Sequence, residues 1–345
     1  MRCEQELLSN MSFVPFGDLL LEPLRNGLTK PKAVRGDGVK MIGMGEIFAN
    51  SRIGAISMSR VPVTEKELSN NCIKNGDILF ARQSLALEGA GKCSIVIDVT
   101  EKTVFESHLI RARIDSSKAN PYFVYYYFNS YVGKEHIKTI VEQVAAAGIR
   151  GSDLVRLKVP CPDLETQDRI AAILSALDEK IATNREINDN LQQQAAALFS
   201  SLYDRSNTEV RFTDLIQILG GGTPKTGENT YWNGNIAFFT PKDVGTPYTL
   251  ITEKTISKEG LSHCNSRLYP VNTVFVTARG TVGKVGMSGV PMAMNQSCYA
   301  LVGKETHQLL VYFYTLKAVD RLKHKASGAV FDAITTRDFE SEQIM

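Results

Sequence analysis

Residues that bind metals or build disulfide frameworks are scarce in this chain of 345 residues. The six cysteines are scattered without a CxxC pair, and the five histidines show neither HxxxH nor HxxE spacing. A chain of this length needs no disulfide bonds for stability, so we expect reduced thiols that serve mostly as small core residues. Zinc sites require clustered cysteine and histidine ligands, and we therefore predict no metal site.

Long hydrophobic runs are also missing from the sequence. No segment approaches the ~20 consecutive apolar residues that a bilayer-spanning helix requires. The first residues, MRCEQELLSNMSF, include acidic side chains and lack the apolar stretch of a signal peptide. We therefore expect a cytoplasmic protein with no membrane partner.

Complete catalytic motifs are not found. The segment LGGGTP at Leu219–Pro224 lacks the GxGxxG order of a dinucleotide-binding loop. Gly91-Lys92 and Gly283-Lys284 resemble the end of a phosphate-binding loop, but neither lysine is followed by serine or threonine. We therefore expect a chain that is not an enzyme and that holds no cofactor of its own.

The charge of the chain is unevenly distributed, although the net value is only +2. Between Asp163 and Arg205 there are eight acidic and four basic residues, which leaves a net +6 for the rest of the chain. Two basic flanks around an acidic middle are typical of a protein that binds a polyanion through its flanks. Random imbalance in a soluble protein would give the same numbers, so charge alone leaves both explanations open.

The middle segment has the pattern of one long helix. No proline or glycine occurs from Leu164 to Leu202, and Asp163 is a suitable N-cap. Apolar residues recur in steps of three or four, with one asparagine among them, which predicts a face that pairs with another helix. The residues predicted at this helix interface are Ile170, Leu174, Leu177, Ile181, Asn184, Ile187, Leu191, Ala195, Leu198 and Leu202. Such a helix would be roughly 60 Å long. The alternative is a long core helix inside a single globular fold.

The two flanks of this helix resemble each other. At a shift of about 196 residues, Val14–Leu19 reappears as Val210–Leu215, and Asn75–Arg82 reappears as Asn272–Arg279. Each half reads as short strands with Gly/Pro turns, followed by helical segments, so the predicted fold class is α+β. We interpret the sequence as two similar domains joined by a long α-helix that forms a coiled-coil spacer.

Basic and amide side chains in polar loops are the candidates for nucleic-acid contacts. Lysines neutralise phosphates, whereas arginine, asparagine and glutamine can also hydrogen-bond to base edges. The candidates in the first half are Lys30, Lys32, Arg35, Lys40, Arg52, Arg82, Gln83, Ser84 and Lys92. Those in the second half are Thr223, Lys225, Lys242, Arg279, Thr281, Lys284, Asn295 and Gln296. We favour Arg82–Ser84 and Arg279–Thr281, which follow an apolar strand at the same position of the repeat.

The tyrosine-rich segment from Tyr122 to Tyr131 could stack on bases, but its helical spacing favours a place in the core. Asn120-Pro121, just before it, is predicted to start that helix.

Two similar basic domains on a rigid helix predict reading of two DNA segments, since sites about 34 Å apart lie on one face of the duplex. The two copies differ at most positions, so the target would be asymmetric.

The residues at the start of the long helix resemble a known family. Val159–Ile170 (VPCPDLETQDRI) and Leu177–Ile181 (LDEKI) are similar to the central conserved region of type I restriction-modification specificity subunits. Gly221–Pro224 followed by Tyr231–Ile236 resembles the opening of many target recognition domains in that family. The resemblance places target recognition domains at residues 1–162 and 206–345, with the conserved helix at 163–205 between them.

This resemblance implies a non-catalytic subunit whose two domains each read one half of a bipartite double-stranded DNA site. It implies that the helix docks methyltransferase subunits and that a restriction subunit joins the complex. S-adenosylmethionine, ATP and magnesium would belong to those partner subunits.

One feature departs from the family pattern. In the family a second conserved helix follows the second domain and packs antiparallel on the first. Here Asp153-Leu154 aligns with Asp338-Phe339, so the sequence ends where that helix would begin. Truncation, or a helix supplied by another chain, would explain this, and a homodimer through the exposed helix is one form of the latter. The alternative function is a structural adapter that docks through its helix without useful DNA recognition, and a third is a self-sufficient methyltransferase.

Overall fold

The computed structural model describes residues 12–143, 147–245, 247–325 and 333–345. The chain divides into two compact units, Met1–Glu186 and Ile187–Met345. The long helix α6 (Leu164–Tyr203) is continuous and contributes residues to both units. This confirms the predicted helix. The limits predicted for the three segments, 1–162, 163–205 and 206–345, stay a prediction.

The first unit consists of short strands and helices, as the sequence predicts. Its strands are β1 (Phe13–Pro15), β2 (Arg25–Asn26), β3 (Val39–Ile42), β4 (Arg52–Ile53), β5 (Ser59–Val61), β6 (Ile78–Ala81), β7 (Gln83–Ser84), β8 (Cys93–Val96), β9 (Thr103–Phe105), β10 (Leu109–Ala112), β11 (Glu142–Gln143), β12 (Ala147–Gly148) and β13 (Lys158–Pro160). Its helices before α6 are α1 (Met44–Ala49), α2 (Glu65–Asn71), α3 (Pro121–Asn129), α4 (Tyr131–Lys138) and α5 (Gly151–Leu154).

The second unit has the same kinds of element. Its helices after α6 are α7 (Phe212–Leu215), α8 (Lys258–Ser262), α9 (Gln308–Lys325) and α10 (Thr336–Glu340). Its strands are β14 (Val210–Arg211), β15 (Ile216–Gly220), β16 (Trp232–Phe239), β17 (Tyr248–Thr249), β18 (Lys254–Ile256), β19 (Val274–Thr277), β20 (Val285–Ser288), β21 (Met292–Met294), β22 (Cys298–Gly303) and β23 (Gln343–Ile344).

The sheets of the two units have matching topology. The five-stranded sheets have the order β2-β10-β6-β8-β4 and β15-β22-β19-β20-β17, and in each the last pair is parallel. The three-stranded sheets β5-β3-β9 and β18-β16-β21 also match, again with one parallel pair each. In both units the first strand pairs antiparallel with the last, β1 with β13 and β14 with β23. The predicted internal repeat is therefore confirmed at the level of topology.

Each unit has its own hydrophobic core. In the first, the rings of Phe16, Phe80 and Phe128 pack edge to face, with centroids 5.0–6.0 Å apart. In the second, Phe212 takes the place of Phe16 and stacks on Phe339 with centroids 5.1 Å apart. These two phenylalanines stand at matching positions of the sequence repeat, and both are completely buried. Burial of such aromatic rings supplies much of the stability of a domain.

Helix α3 confirms two further predictions. Asn120 caps it, because its Oδ1 accepts hydrogen bonds from the backbone N–H groups of Tyr122 and Phe123, at 2.8 and 3.2 Å. Its aromatic side chains belong to the core cluster of the first unit, with Phe123, Tyr125 and Phe128 buried.

Among the described residues, no helix is both long and apolar enough to cross a membrane.

Candidate nucleic-acid interface

The loop that follows the middle strand of each five-stranded sheet is built on the same hydrogen bonds. In the first unit the Ala81 N–H donates to the Lys92 carbonyl and the Gly91 N–H donates to the Ala81 carbonyl, both at 2.8 Å. In the second unit the same two bonds join Thr277 to Lys284 and Gly283 to Thr277, both at 2.9 Å. Gly91 and Gly283 have φ values of +77° and +74°, a conformation that side chains disfavour. The two Gly-Lys pairs thus close equivalent turns.

The residue that follows each strand also has matching partners. The Arg82 N–H donates to the His108 carbonyl, and the Ala278 N–H donates to the Ser297 carbonyl, both at 2.8 Å. The Arg82 and Ala278 carbonyls accept from the N–H groups of Ile149 and Ile334, both at 2.9 Å. The counterpart of Arg82 is therefore Ala278, so the register expected from the sequence was wrong by one residue.

Gln83 is consequently the counterpart of Arg279. Gln83 pairs with Gly148, and Arg279 forms an isolated bridge with Ala333, one residue before the isoleucine that bonds to the preceding carbonyl. The sequence pattern misled because an Ala-Arg pair occurs in both copies, at positions one residue apart in the structure. Since successive strand residues point to opposite faces, a one-residue shift changes which side chains are equivalent.

Arg82 and Gln83 have different surroundings in the first unit. Arg82 lines a cleft of about 360 Å³ together with Asn26, Arg150 and Ser152. Gln83 is exposed. The next residue, Ser84, accepts a hydrogen bond from the Ala86 N–H through its Oγ, at 3.1 Å, and so shapes the loop.

In the second unit the Gly-Gly-Thr-Pro segment packs against the strand that ends at Met294. The Gly222 N–H donates to the Met294 carbonyl at 3.1 Å, and a Cβ on Gly221 would lie 2.2 Å from the Asn295 carbonyl oxygen. This close approach requires glycine and brings the Thr223 hydroxyl to the Gln296 side chain, to which it donates. Two candidates that are far apart in sequence are therefore neighbours.

Of the other candidates in the second unit, Arg279 and Asn295 both bond to Ser297, the residue after Gln296. The Arg279 N–H donates to the Ser297 carbonyl at 3.3 Å, next to Gln296. The Asn295 Oδ1 accepts from the Ser297 N–H at 3.1 Å, so this side chain supports the turn. The Thr281 hydroxyl lies 3.5 Å from the Pro241 carbonyl, beside Lys242. The structure thus brings Thr223 and Gln296 into contact and places the backbone of Arg279 beside the residue that follows Gln296.

Several residues near these loops were missed by the sequence analysis. The indole Nε1 of Trp232 donates to the Lys225 carbonyl at 3.1 Å, and the Lys254 ammonium lies 5.7 Å from the indole ring centroid. His108, whose carbonyl holds the Arg82 N–H, is exposed. Trp232 could have been singled out from the sequence because it is the only tryptophan of the chain. Nothing in the sequence distinguishes His108 or Lys254 from the other histidines and lysines.

The candidate cations fall into two groups. Acidic groups lie within 4.0 Å of five of them, in the pairs Lys30–Glu67 (2.9 Å), Arg35–Glu106 (3.7 Å), Lys40–Glu101 (2.7 Å), Arg52–Asp178 (4.0 Å) and Lys242–Glu253 (3.7 Å). The Lys92 ammonium donates to the Phe48 carbonyl at 2.7 Å. For the other candidate cations, Lys32, Arg82, Lys225, Arg279 and Lys284, the described part of the chain provides no ion pair. Their positive charge is therefore the more available for a phosphate.

One face of α6 packs against the first unit. Gln167 is completely buried, accepts the Asn120 N–H at 2.9 Å and donates to the Pro162 carbonyl at 2.8 Å. Further along the helix, the Tyr126 hydroxyl donates to Asp178 at 2.8 Å, and burial raises the pKa of this tyrosine to about 12. Arg52, a predicted DNA contact, lies at this same helix junction.

The end of α6 packs against α9 within the second unit. The ring of Phe199 stacks on Phe313 with centroids 5.2 Å apart, and Arg321 donates to the Tyr203 hydroxyl at 2.8 Å. Beside these aromatic residues lies a mostly apolar groove of about 460 Å³. Leu198 and Leu202, both predicted at the helix interface, line this groove.

Most of the predicted interface residues on α6 are exposed. Ile170 and Leu174 are half-buried near the first unit, whereas Asn184 and Ala195 are exposed. The large apolar side chains from Leu177 onward are 49–63% exposed. These are Leu177, Ile181, Ile187, Leu191, Leu198 and Leu202, and we call them the apolar row. An exposed apolar row of this size is typical of a surface that takes part in binding.

Two of the thiols, those of Cys93 and Cys298, are buried and offer little reactivity. Burial raises the pKa of both Cys93 and Cys298 to about 12, so these groups are neutral at pH 7. Within the described residues no group of three or more His, Cys, Asp and Glu side chains could hold a metal ion. The surface loops described above carry hydrogen-bond donors and positive charge, which suit binding.

Comparison with known proteins identifies the family. The sequence profile of the type I restriction modification DNA specificity domain matches the chain twice, at residues 13–193 and 205–345. The chain belongs to this family. A specificity subunit of the type I restriction enzyme MjaX from Methanocaldococcus jannaschii is 23% identical over an alignment of 353 residues, covering 94% of this chain and 80% of that protein.

Two further relatives agree with the family match. The EcoR124I/EcoR124II specificity subunit of Escherichia coli is 30% identical over 175 residues, which are 46% of this chain and 42% of that protein. The crystal structure of a type I restriction-modification S subunit from M. genitalium has a TM-score of 0.62 at 15% identity and covers 97% of this chain and 84% of that chain. This similarity shows that the chain has the same fold as that S subunit.

Proposed function

We propose that the chain directs a type I restriction-modification enzyme to its DNA sequence without catalysing methylation or cleavage itself. Each domain would read one half of an asymmetric bipartite site. The observation that carries the proposal is the shared loop framework, which presents Gln83 in one domain and Arg279 in the other. Such loops provide the side chains that read base edges, and their difference predicts unequal half-sites.

We further propose that the apolar row of α6 docks methyltransferase subunits, through which a restriction subunit joins the complex. The row is apolar at helical spacing, as expected for a surface that receives another helix. S-adenosylmethionine, ATP and magnesium would be bound by those partners, and the complex would act on DNA in the cytoplasm. Calorimetry of the isolated chain with S-adenosylmethionine should give no heat of binding, whereas a self-sufficient methyltransferase would bind it.

The central experiment is co-expression with the neighbouring methyltransferase gene, followed by mapping of methylated adenines across the genome. We expect methylation at one interrupted motif with two different halves. Selection from random DNA duplexes by the purified chain should enrich the same motif. A chain that enriches no motif and directs no methylation would be the structural adapter instead.

The docking surface is tested by changing one residue of the apolar row. Leu191→Glu places a charge in the middle of the row, and we expect it to abolish co-purification with the methyltransferase. Gln193→Glu adds the same charge at an exposed helix position outside the row and is the matched control. Equal co-purification of both variants would contradict docking through this face.

Self-association through the same row is the second candidate role. The observation in its favour is the exposure of the row, because a second copy of α6 would bury it. Analytical ultracentrifugation should then detect a dimer that Leu191→Glu dissociates. A monomer at all concentrations would leave the methyltransferase as the partner of this surface.

A further inference from the structure

We propose that Gln83 and Arg279 are equivalent base-reading positions, and that Gln83 selects adenine in one half-site while Arg279 selects guanine in the other. This inference rests on the proposed function and adds to it the identity of one base pair in each half. It depends on the register of the strands, which the sequence did not provide.

Both residues are held in the same backbone frame. Each follows a residue whose N–H and carbonyl are both hydrogen-bonded to neighbouring segments, at 2.8 and 2.9 Å in either unit. Each pairs with a small residue, Gly148 for Gln83 and Ala333 for Arg279. A side chain that starts from a fixed backbone position reaches a ligand with little loss of precision. The two side chains therefore leave the protein from corresponding points.

Both side chains are available to a ligand, since Gln83 and Arg279 are exposed. The backbone then diverges in the two units. Gly280, with φ +84°, turns the short loop that ends at Gly283, whereas the first unit inserts a loop four residues longer between Ser84 and Gly91. Gln83 and Arg279 are thus the last positions that the two loops share.

The chemistry of the two side chains gives the base assignment. In the major groove a glutamine amide can form two hydrogen bonds with adenine, because its NH₂ group donates to N7 and its oxygen accepts from the N6 amino group. An arginine guanidinium instead donates to both O6 and N7 of guanine. We do not assign base reading to Arg82, because its counterpart in the second unit is Ala278 and because it lines the cleft with Arg150. The frame is common to both units, and the reading side chain differs.

The test exchanges the two side chains and repeats the selection from random duplexes. Gln83→Arg should replace one A·T pair by G·C in one half of the enriched motif and leave the other half unchanged. Arg279→Gln should make the opposite change in the other half. Each variant should lose about 5- to 140-fold in affinity for the original motif, the range expected for one bidentate base contact.

The control is Gln217→Arg, which adds the same charge at an exposed strand position away from the loop. It should keep the original motif. An unchanged motif in both exchange variants, or an equal loss of affinity for all sequences, would overturn the base assignment while the proposed function stands. Failure of the unmodified chain both to enrich a motif and to direct methylation would overturn the proposed function itself.

Discussion

Asp77 and Thr273 occupy the same turn of the repeat but stabilise it in different ways. The Thr273 hydroxyl donates to the Pro270 carbonyl at 2.8 Å. The Asp77 carboxylate instead accepts the Lys74 N–H and the Nε and Nη2 donors of Arg113, each at 2.7 Å. Asp77 is only 1% exposed, so the first domain contains a buried ion pair where the second has a neutral turn.

This difference gives a prediction about stability. Asp77→Ala would leave the Arg113 guanidinium with only Glu22 as its acidic partner in the described structure, and we expect a loss of about 3–5 kcal/mol in the free energy of unfolding. Thr273→Ala removes one neutral hydrogen bond and should cost about 1 kcal/mol. Urea unfolding followed by circular dichroism measures both, and equal losses would argue against a special role for the ion pair.

Some residue-level features could be predicted from the sequence and others could not. The sequence placed Phe16 and Phe212 at matching positions of the repeat, and the structure shows that both are completely buried. Ion pairs such as Lys30–Glu67 were not predicted, since they join residues that are distant in sequence. The equivalence of Gln83 and Arg279 depends on the three-dimensional structure. The strands that lead to these residues are buried along their whole length, so a shift of one residue leaves their hydrophobic pattern unchanged.

Helix α6 was the most predictable element, because its length, lack of proline and glycine, and apolar spacing are local properties. The sequence did not show which faces pack on the domains. Gln167 and Phe199 are buried although neither belongs to the predicted row. The sequence showed only the apolar row. The structure shows that this row is exposed, whereas other residues near each end of α6, such as Gln167 and Phe199, are buried against the two units.

The start of α6 provides a prediction that depends on pH. The Asp163 carboxylate accepts the Thr166 N–H at 2.8 Å and the Thr166 hydroxyl at 2.9 Å, and these bonds lower the pKa of Asp163. A lowered pKa means that this stabilisation is present above the pKa of the unfolded chain and is lost as the pH falls through the folded value. Asp163→Ala should therefore lower the free energy of unfolding at pH 7.

The pH dependence distinguishes this cap from a general effect of the substitution. The difference in unfolding free energy between the original chain and Asp163→Ala should shrink below about pH 4, where aspartate becomes protonated. Asp163→Asn keeps a capping oxygen and is the control. A difference that stays constant from pH 7 to pH 3 would show that the charge of the cap is unimportant.

At the scale of the whole molecule, the distribution of available charge predicts how DNA binding depends on salt. Lys225 has no ion pair within the described residues, whereas Lys30 pairs with Glu67. Each phosphate contact contributes about one unit to the slope of log affinity against log salt concentration. Lys225→Ala should reduce the slope by about one, and Lys30→Ala should change it much less.

Titrations of a labelled duplex by fluorescence anisotropy between 50 mM and 200 mM salt would measure these slopes, and this range is wide enough to resolve such a change. Equal slopes for Lys225→Ala and the original chain would remove Lys225 from the phosphate contacts. A larger effect of Lys30→Ala than of Lys225→Ala would show that ion pairing within the protein does not decide which lysines bind DNA.

The pairing of the first and last strands has a consequence for how such proteins change over time. Phe13 lies opposite Pro160 and Val210 lies opposite Ile344, so the two ends of each domain are side by side. A protein segment whose ends are adjacent can be replaced by a homologous segment without disturbing the fold of the chain on either side. Recombination within the α6 coding sequence would therefore exchange a whole domain at once, and under the proposed function it would change one recognised half-site in a single step.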